Sequence, residues 1–260
     1  MMIRREITTR IKSILIWSAA FAFFIIGGMT EFDIFVEGGG QQLNQFVQAM
    51  PRIMRVIYGM EGVDISSFEG YFSILLLYVL IMVAVHGAFL GCALIHLEFK
   101  ERTADFLFVK PMSRSRILLH KLVGGLSVIL ILQAVIAASS FYVFSSTGNL
   151  GFLPRTLLAT LLTHIFFFAL GFLLTILLPK SRTGQHASLV YVIVSYFSIS
   201  LSQLYDISWL TAISPVGWYY AWTYKADAGS YWLTAGIFIV LTLLFIGVAV
   251  RRFESKDIPS

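Results

Sequence analysis

Residues 71–97 read YFSILLLYVLIMVAVHGAFLGCALIHL, an apolar run that contains no Asp, Glu, Lys or Arg. The run exceeds the roughly 20 apolar residues that a helix needs to cross the hydrocarbon core of a bilayer. Its apolar residues are continuous and do not alternate with polar ones, which favours a transmembrane helix over a barrel strand. Five further stretches have the same character. The six predicted spans are residues 14–29, 71–97, 118–144, 153–178, 187–204 and 232–250.

The composition of the whole chain agrees with this reading. Of its 260 residues, 58% are hydrophobic and 13% are charged, and the mean hydropathy is +0.82. Soluble domains carry about 25% charged residues. We therefore expect an all-α, polytopic membrane protein with one transmembrane domain over residues 1–260. Residues 30–70 and 205–231 would be its two long extracellular segments.

The basic residues predict the orientation. With the amino terminus in the cytoplasm, 15 of the 19 Lys and Arg residues fall on the inner side, and only Arg52, Arg55, Arg155 and Lys225 fall outside. This bias favours cytoplasmic location of both termini in a multi-pass protein of the plasma membrane, which we expect to be bacterial. A nucleic-acid partner is disfavoured, because the basic residues are spread over separate inner segments and do not form one face.

The first twelve residues combine basic side chains with Ile3, Ile7 and Ile11 at a spacing of four. That spacing suits a short amphipathic helix in the inner interface, although simple basic flanking residues would have the same composition. The apolar run that follows is longer than that of a secretory signal peptide, and Gly27-Gly28-Met29 is a poor cleavage site. We expect this segment to be retained as the first span.

Both extracellular segments carry features of their own. Residues 30–70 contain a periodic apolar pattern after Gly38-Gly39-Gly40, which predicts an amphipathic helix interrupted at Pro51 and placed at the outer interface. Residues 205–231 are rich in Trp and Tyr around Pro215. That composition fits either a broken re-entrant hairpin or a plain aromatic belt at headgroup level.

The spans contain few groups that could perform chemistry. Only His86 and His164 lie near the middle of a span as ionisable residues, with no carboxylate one turn away, and the single cysteine, Cys92, reads as a packing residue. We expect each histidine to be neutral and bonded to a neighbouring carbonyl. A proton relay, an intramembrane protease, a metal site and a lipid-modifying enzyme are all disfavoured, since each needs clustered polar groups.

Two residue patterns indicate helix packing. Tyr191, Ser195, Ser198 and Ser202 fall at helical spacing on one face of the fifth span, where they could line a pathway, form a dimer face or serve as helix–helix contacts. Gly87 and Gly91 in the second span would let a neighbouring helix approach closely, which suits a bundle that oligomerises.

The segment 98–114 is the most informative part of the chain for function. It carries the acids Glu98, Glu101 and Asp105, which membrane orientation does not require, around an apolar patch at residues 104–109. A short helix with an apolar face and charged flanks fits a groove on a cytosolic partner. Pro111 would end that helix and Ser113 would cap the next one.

This pattern resembles a known loop. From Glu98 onward the chain reads acid–x–x–Glu101–x–Thr103, an apolar patch, Lys110-Pro111-x-Ser113-Arg114 and then Lys121. It is similar to the loop between the second and third helices of ABC-2-type ABC transporter permeases. Pro51, Gly59-Met60, Asp64 and Ser214-Pro215 also stand where similar permeases carry comparable motifs. Arg102 departs from the pattern, because many members have Gly before the Thr.

The resemblance implies a permease subunit of an ATP-driven exporter, which is not itself an enzyme. Residues 1–12 would be the elbow helix, 98–117 the cytoplasmic coupling loop, and the part around Pro215 and Trp218 a re-entrant segment. The implied ATPase-coupling residues are Glu98, Glu101, Thr103, Phe106, Phe108, Pro111, Ser113 and Arg114. The implied partners are a cytosolic ABC ATPase, a second permease subunit (identical or paralogous) and membrane lipid.

The ATPase has to be a separate polypeptide by this reading, because the chain has no G-x-x-x-x-G-K-[ST] phosphate-binding motif. ATP and Mg²⁺ would be held by that partner, and no cofactor or metal by this chain. The alternative is a membrane-embedded immunity or sensor protein that binds a peptide or a signalling partner and transports nothing.

Overall fold

The computed structural model describes residues 2–37, 39–100, 114–178, 183–217 and 228–254, and throughout these ranges every regular element is helical. The α-helices are α1 (Met2–Thr9), α2 (Ile11–Ala22), α3 (Gly28–Glu37), α4 (Gly40–Ala49), α5 (Arg52–Ile57), α6 (Phe68–Lys100), α7 (Arg114–Thr147), α8 (Leu153–Leu177), α9 (Thr183–Tyr205), α10 (Trp209–Ala212) and α11 (Ala228–Glu254). A π-helical stretch, Phe23–Gly27, joins α2 to α3, and a 3₁₀ turn, Leu150–Phe152, precedes α8.

Six helical stretches are long and apolar enough to cross a membrane. They are span 1 (Ile11–Phe32), span 2 (Phe68–Leu94), span 3 (Leu118–Thr147), span 4 (Leu150–Leu177), span 5 (Thr183–Tyr205) and span 6 (Trp232–Glu254). The predicted all-α class with six transmembrane helices is confirmed. Each span overlaps its predicted range, and span 1 is longer than predicted at both ends.

Spans 2 and 4 form the centre of the bundle. Leu80 and Ala88 of span 2 and Phe168 and Phe172 of span 4 are fully buried. The two helices touch at glycines: a Cβ added at Gly87 would lie 2.5 Å from the carbonyl oxygen of His164. Such proximity leaves no room for any side chain and is typical of small-residue contacts in membranes.

The close approach allowed by Gly87 and Gly91 therefore lies within one chain. Gly91 faces the backbone of Phe168 in the same way, and Gly171 of span 4 faces the backbone of Ala88. We expected this pair of glycines to suit oligomerisation, and that part of the interpretation was wrong. The sequence indicated a close contact but contained nothing to identify the partner helix.

The other elements surround this centre. Span 6 packs on span 4, with the rings of Phe166 and Phe238 5.1 Å apart, and α1 packs on span 3. We call the end of the bundle that carries α1 the amino-terminal end. The opposite end, which carries residues 39–67 and 206–217, is called the loop end. At that end the chain breaks at Pro51, as the sequence indicated, so that α4 and α5 are separate helices.

Candidate functional site

The predicted ATPase-coupling residues fall mainly outside the described part of the chain. Glu98 lies in α6, two residues before its last residue, Lys100, and Arg114 is the first residue of α7. The remaining residues outside the described ranges are Glu101, Thr103, Phe106, Phe108, Pro111 and Ser113. Their assignment to coupling stays a prediction. The two helices that bracket the segment both reach the amino-terminal end.

A compact ion cluster fixes α1 at this end. The Lys121 Nζ lies 3.3 Å from Glu6 Oε1, and the Arg10 Nη2 lies 3.4 Å from Glu6 Oε2. All three side chains are at most 14% exposed. Gly124 makes the approach possible, because a Cβ there would lie 2.9 Å from Glu6 Cβ. In the sequence, Arg10 counts as an orienting charge and Lys121 as part of the loop pattern, and nothing marks Glu6, the one acid in residues 1–12, as their partner.

At the loop end, two polar residues of span 5 bind the segment that follows it. Tyr191 donates its hydroxyl to the carbonyl of Ile213, with 3.1 Å between the oxygens. The hydroxyl oxygens of Ser195 and Ser214 lie 2.9 Å apart, and Ser195 Oγ also accepts the N–H of Val216. Ser195 and Ser214 are fully buried. Two residues of the predicted polar face therefore form contacts within the chain, between span 5 and residues 213–216.

This segment runs back down along span 5. Ser195 lies ten residues before Tyr205, the last residue of α9, so its level is about 15 Å below the end of that helix. Residues 209–217 descend to this level within a few residues of the turn at Asp206. Pro215 is buried, and Gly217 lies so close to Ile199 that a Cβ would be 2.7 Å from its Cγ1. Trp218 lies outside the described residues.

The other two residues of the polar face do not join this contact. Ser198 donates its hydroxyl to the carbonyl of Val194 in its own helix, at 2.7 Å. Ser202 is buried near the end of the span, where its carbonyl accepts the N–H of Ile207. The pattern of hydroxyls predicted one polar face on span 5. Of its four residues, Tyr191 and Ser195, which lie nearer the amino-terminal end, contact residues 209–217.

An ion-pair network lies at the loop end, where residues 52–61 contact the end of span 5. Arg52 donates to Glu61 Oε1 (3.1 Å), to the carbonyl of Gln203 (2.7 Å) and to Asp206 Oδ1 (3.3 Å). Arg55 donates to Glu61 Oε2 at 2.7 Å and to two carbonyls of the preceding segment. These hydrogen bonds, chiefly the one from Arg55, hold the pKa of Glu61 below its usual value. The network ties residues 52–61 to the end of span 5.

Two tyrosines bind the same segment from within the spans. Tyr196 of span 5 donates its hydroxyl to the carbonyl of Ile57, and Tyr78 of span 2 donates to the carbonyl of Tyr58 at 3.3 Å. Both accepting carbonyls belong to the turn at the end of α5. The sequence alone does not predict these two contacts, because a single Tyr in an apolar run does not indicate which group it binds.

The two intramembrane histidines bind each other. His86 Nδ1 lies 2.8 Å from His164 Nε2, and the indole of Trp17 meets the His86 ring edge-on at 5.2 Å. We expected each imidazole to bond a neighbouring carbonyl, and that expectation was wrong. The two residues are 78 positions apart, so their pairing became visible only in the fold.

Span 4 carries further buried polar groups on the side of His164. Thr160, one turn before His164, accepts a hydrogen bond from Gln133 of span 3 at 2.7 Å, and Gln133 also binds the carbonyl of Leu157. Within the described ranges, no group of three or more His, Cys, Asp or Glu residues is placed to hold a metal ion. This buried polar cluster links spans 3 and 4. Gln133, a polar residue within an apolar run, could have indicated it in the sequence.

Comparison with known families gives one result. The model of the family described as ABC-2 family transporter protein matches residues 1–258. No curated protein matches the chain.

Proposed function

The chain belongs to the ABC-2 family of transporter proteins, and from that premise we propose that it is the permease subunit of an ATP-driven exporter. The family membership makes it a transmembrane component of ABC transport, and the six spans make it a multi-pass membrane protein. We propose further that two permease subunits form the pathway and that separate cytosolic ATPase subunits, with their ATP and Mg²⁺, drive it. The match over residues 1–258 is the observation that carries this proposal.

The proposed site of coupling is segment 98–114. Its support is the resemblance of its sequence to the coupling loop and the arrangement around it. The helices before and after it, α6 and α7, carry spans 2 and 3, and α7 holds α1 through the ion pair between Glu6 and Lys121. A push on this segment would therefore act on two spans and on α1 at once. The excess of basic residues at this end favours a cytoplasmic position.

The proposed moving part at the other end is span 5. Residues 52–61 are bound to it through Arg52 and Tyr196, and residues 209–217 are bound to it through Tyr191 and Ser195. Movement of span 5 would carry both segments with it, since several hydrogen bonds, among them the buried one between Ser195 and Ser214, would otherwise have to break together. Opening of the pathway at the loop end would then be a movement of this unit.

The proposed cargo class rests on the lack of Asp, Glu, Lys and Arg in the middle parts of the described spans. A small inorganic ion is disfavoured as a substrate, while a lipid, a hydrophobic drug or an amphipathic peptide fits the apolar surfaces. Because the pathway is shared between two permease subunits, residues of both copies would contact the cargo.

The test is to copurify the chain with its candidate ATPase and to measure complex formation with purified components. Phe106→Asp and Phe108→Asp would place a charge in the proposed apolar docking face, and we expect at least a tenfold loss of ATPase binding. The matched controls Phe106→Leu and Phe108→Leu keep the face apolar and should bind nearly as well as the parent.

Two outcomes would contradict the proposal. A complex that survives both Asp substitutions unchanged would place coupling elsewhere in the chain. If no ATPase copurifies with the parent protein, the sensor or immunity alternative would replace the transporter reading of this subunit.

A further inference from the structure

Helix α5 and the turn after it lie unexpectedly deep in the bundle. The carbonyls of Ile57 and Tyr58 accept hydrogen bonds from Tyr196 and Tyr78, which belong to spans 5 and 2. Tyr196 lies nine residues before the end of span 5, and Tyr78 lies ten residues after the start of span 2. At 1.5 Å per residue these positions are about 13 and 15 Å below the ends of their spans.

This depth exceeds that of the polar interface. The hydrocarbon core is about 30 Å thick and the headgroup layers add only about 5–8 Å on each side. Helix side chains lean towards the amino terminus of their helix, which in span 5 points away from the loop end, so the hydroxyl of Tyr196 and the end of α5 lie below the headgroup level. The sequence predicted an interfacial position for this segment, so the contacts place its far end deeper than expected.

The backbone of the segment is satisfied as that depth requires. A helix that ends inside hydrocarbon leaves carbonyl groups without partners, at a cost of several kcal/mol each unless protein groups bind them. Here two tyrosine hydroxyls bind two of these carbonyls, and the N–H of Met60 binds the carbonyl of Arg55 at 2.7 Å. Non-helical backbone within a membrane is tolerated when protein groups satisfy it in this way.

Of the two charged residues of this helix, Arg52 lies at the other end, and Arg55, in the last turn, extends its guanidinium back to the carbonyls of Gln48 and Met50. Arg52, the first residue of α5, contacts Gln203 and Asp206 at the end of span 5, while Ile57 at the last position of α5 contacts Tyr196. The helix thus descends from headgroup level, where Arg52 and Arg55 find carboxylate and carbonyl partners, towards the hydrocarbon. Both guanidinium groups therefore lie away from the inserted end, which is the arrangement that a membrane-inserted helix needs.

One face of the inserted helix is not covered by any part of the chain that the structure describes. Val56 is buried, whereas Ile53, Met54 and Ile57 are 51%, 42% and 40% exposed. Since Ile57 lies at the depth of the acyl chains, water is an unfavourable cover for this face. We propose that residues 51–60 form a re-entrant helix and turn inserted in the membrane leaflet at the loop end, with Ile53, Met54 and Ile57 covered by lipid acyl chains. This inference requires only that the spans cross a bilayer, and it is independent of ATPase coupling.

The experiment measures depth by fluorescence quenching in nanodiscs. The single native cysteine is buried Cys92, so a Cys92→Ala background accepts one new cysteine at a time, labelled with a small fluorophore. Ile57→Cys is the test position. Leu243→Cys, an exposed position in the middle of span 6, is the lipid control, and Asn149→Cys, in the turn between spans 3 and 4, is the water control.

We expect lipids with a nitroxide on the acyl chain to quench the Ile57→Cys label at least half as strongly as the Leu243→Cys label. We also expect the unlabelled cysteine at position 57 to react with a membrane-impermeant thiol reagent at least tenfold more slowly than at position 149. Fast reaction, with or without quenching, would overturn the insertion. Slow reaction without quenching would overturn the lipid assignment, because a protein surface such as a second copy would then cover the face.

A second pair of variants tests the two hydroxyls without depending on a large change in packing. In the Ile57→Cys protein, Tyr78→Phe together with Tyr196→Phe leaves the two carbonyls without their partners. We expect the reaction with the impermeant reagent to become at least fivefold faster, since the turn would move towards water. Tyr142→Phe removes a hydroxyl from an exposed position of span 3 and should leave the rate unchanged. An unchanged rate in the double variant would overturn the role of the tyrosines.

Discussion

His86 Nδ1 and His164 Nε2 lie 2.8 Å apart, so a hydrogen bond between two buried imidazoles joins the two central spans of the bundle. Intramembrane hydrogen bonds of this kind are worth about 0.6–2 kcal/mol. The pair sits next to the glycine contact of Gly87 with the backbone of His164, where the helices are already as close as they can be. The hydrogen bond therefore adds to the register that the glycine contacts between the two spans already favour.

The first prediction concerns this coupling. In a double-mutant cycle of His86→Ala and His164→Ala, we expect each single substitution to leave the other imidazole with an unmet hydrogen bond. The double variant should then be less destabilised than the sum of the singles, by about 1 kcal/mol. The measurement is the free energy of unfolding in mixed detergent micelles. Additive effects within error would show that the two rings do not stabilise each other.

The second prediction concerns the contact of spans 2 and 4. Gly87→Ala would put a methyl group 2.5 Å from the carbonyl oxygen of His164 and 3.1 Å from the backbone nitrogen of Phe168. Because backbone atoms cannot move aside singly, the spans must separate, and we expect a loss of about 1–3 kcal/mol in unfolding free energy. Gly236→Ala in span 6, where nothing lies within 4 Å, is the matched control and should be neutral or slightly stabilising. Equal effects of the two substitutions would contradict the tight contact.

The third prediction separates the two halves of the polar face of span 5. Ser195→Ala removes a hydroxyl that binds both Ser214 and the backbone of Val216, whereas Ser198→Ala removes one that binds only its own helix. We expect faster amide hydrogen exchange in residues 213–217 for Ser195→Ala, by about tenfold for a loss near 1.4 kcal/mol. Ser198→Ala should leave these amides unchanged. If both variants behave alike, Ser195 does not hold the segment.

The fold was largely readable from the sequence because each span is encoded locally. A continuous apolar run such as residues 71–97 predicts a helix without reference to any other part of the chain. The small residues Gly87 and Gly91 indicated a close contact for the same reason. What they could not indicate was the partner, because the choice of span 4 depends on the packing of the whole bundle.

The candidate site was predictable only in part. The face of Tyr191 and Ser195 was visible in the sequence as a repeat of hydroxyl residues. Its partner Ser214 could not be predicted, because the two meet only where the chain after span 5 folds back along that helix. His86 and His164, and likewise Arg52 and Gln203, are brought together from distant positions, and nothing local marks them as pairs. Glu6 was overlooked because a single acid among basic residues looks like an ordinary surface charge, until Lys121 is found beside it.

The fourth prediction concerns the pH dependence of the ion-pair network at the loop end. The pKa of Glu61 is lowered in the folded protein, chiefly by the hydrogen bond from Arg55 and then by Arg52. The folded state therefore holds the proton less tightly than the unfolded state, whose glutamate pKa is about 4.3. The resulting stabilisation is fully present above that pH and is lost as the pH falls through the lower pKa of the folded protein.

Replacement of Glu61 by Gln should reproduce this loss at neutral pH. We expect Glu61→Gln to lower the free energy of unfolding by about 1 kcal/mol at pH 7, since ion pairs of this partly exposed kind are worth little more. The difference between parent and variant should shrink as the pH is lowered from 5 to 3, because protonation removes the same charge in the parent. The control Glu69→Gln removes an exposed carboxylate in the first turn of α6, at the same end of the bundle. A difference between parent and Glu61→Gln that stays constant over this pH range would show that the carboxylate charge does not stabilise the segment, and that Arg52 and Arg55 hold it through their carbonyl contacts alone.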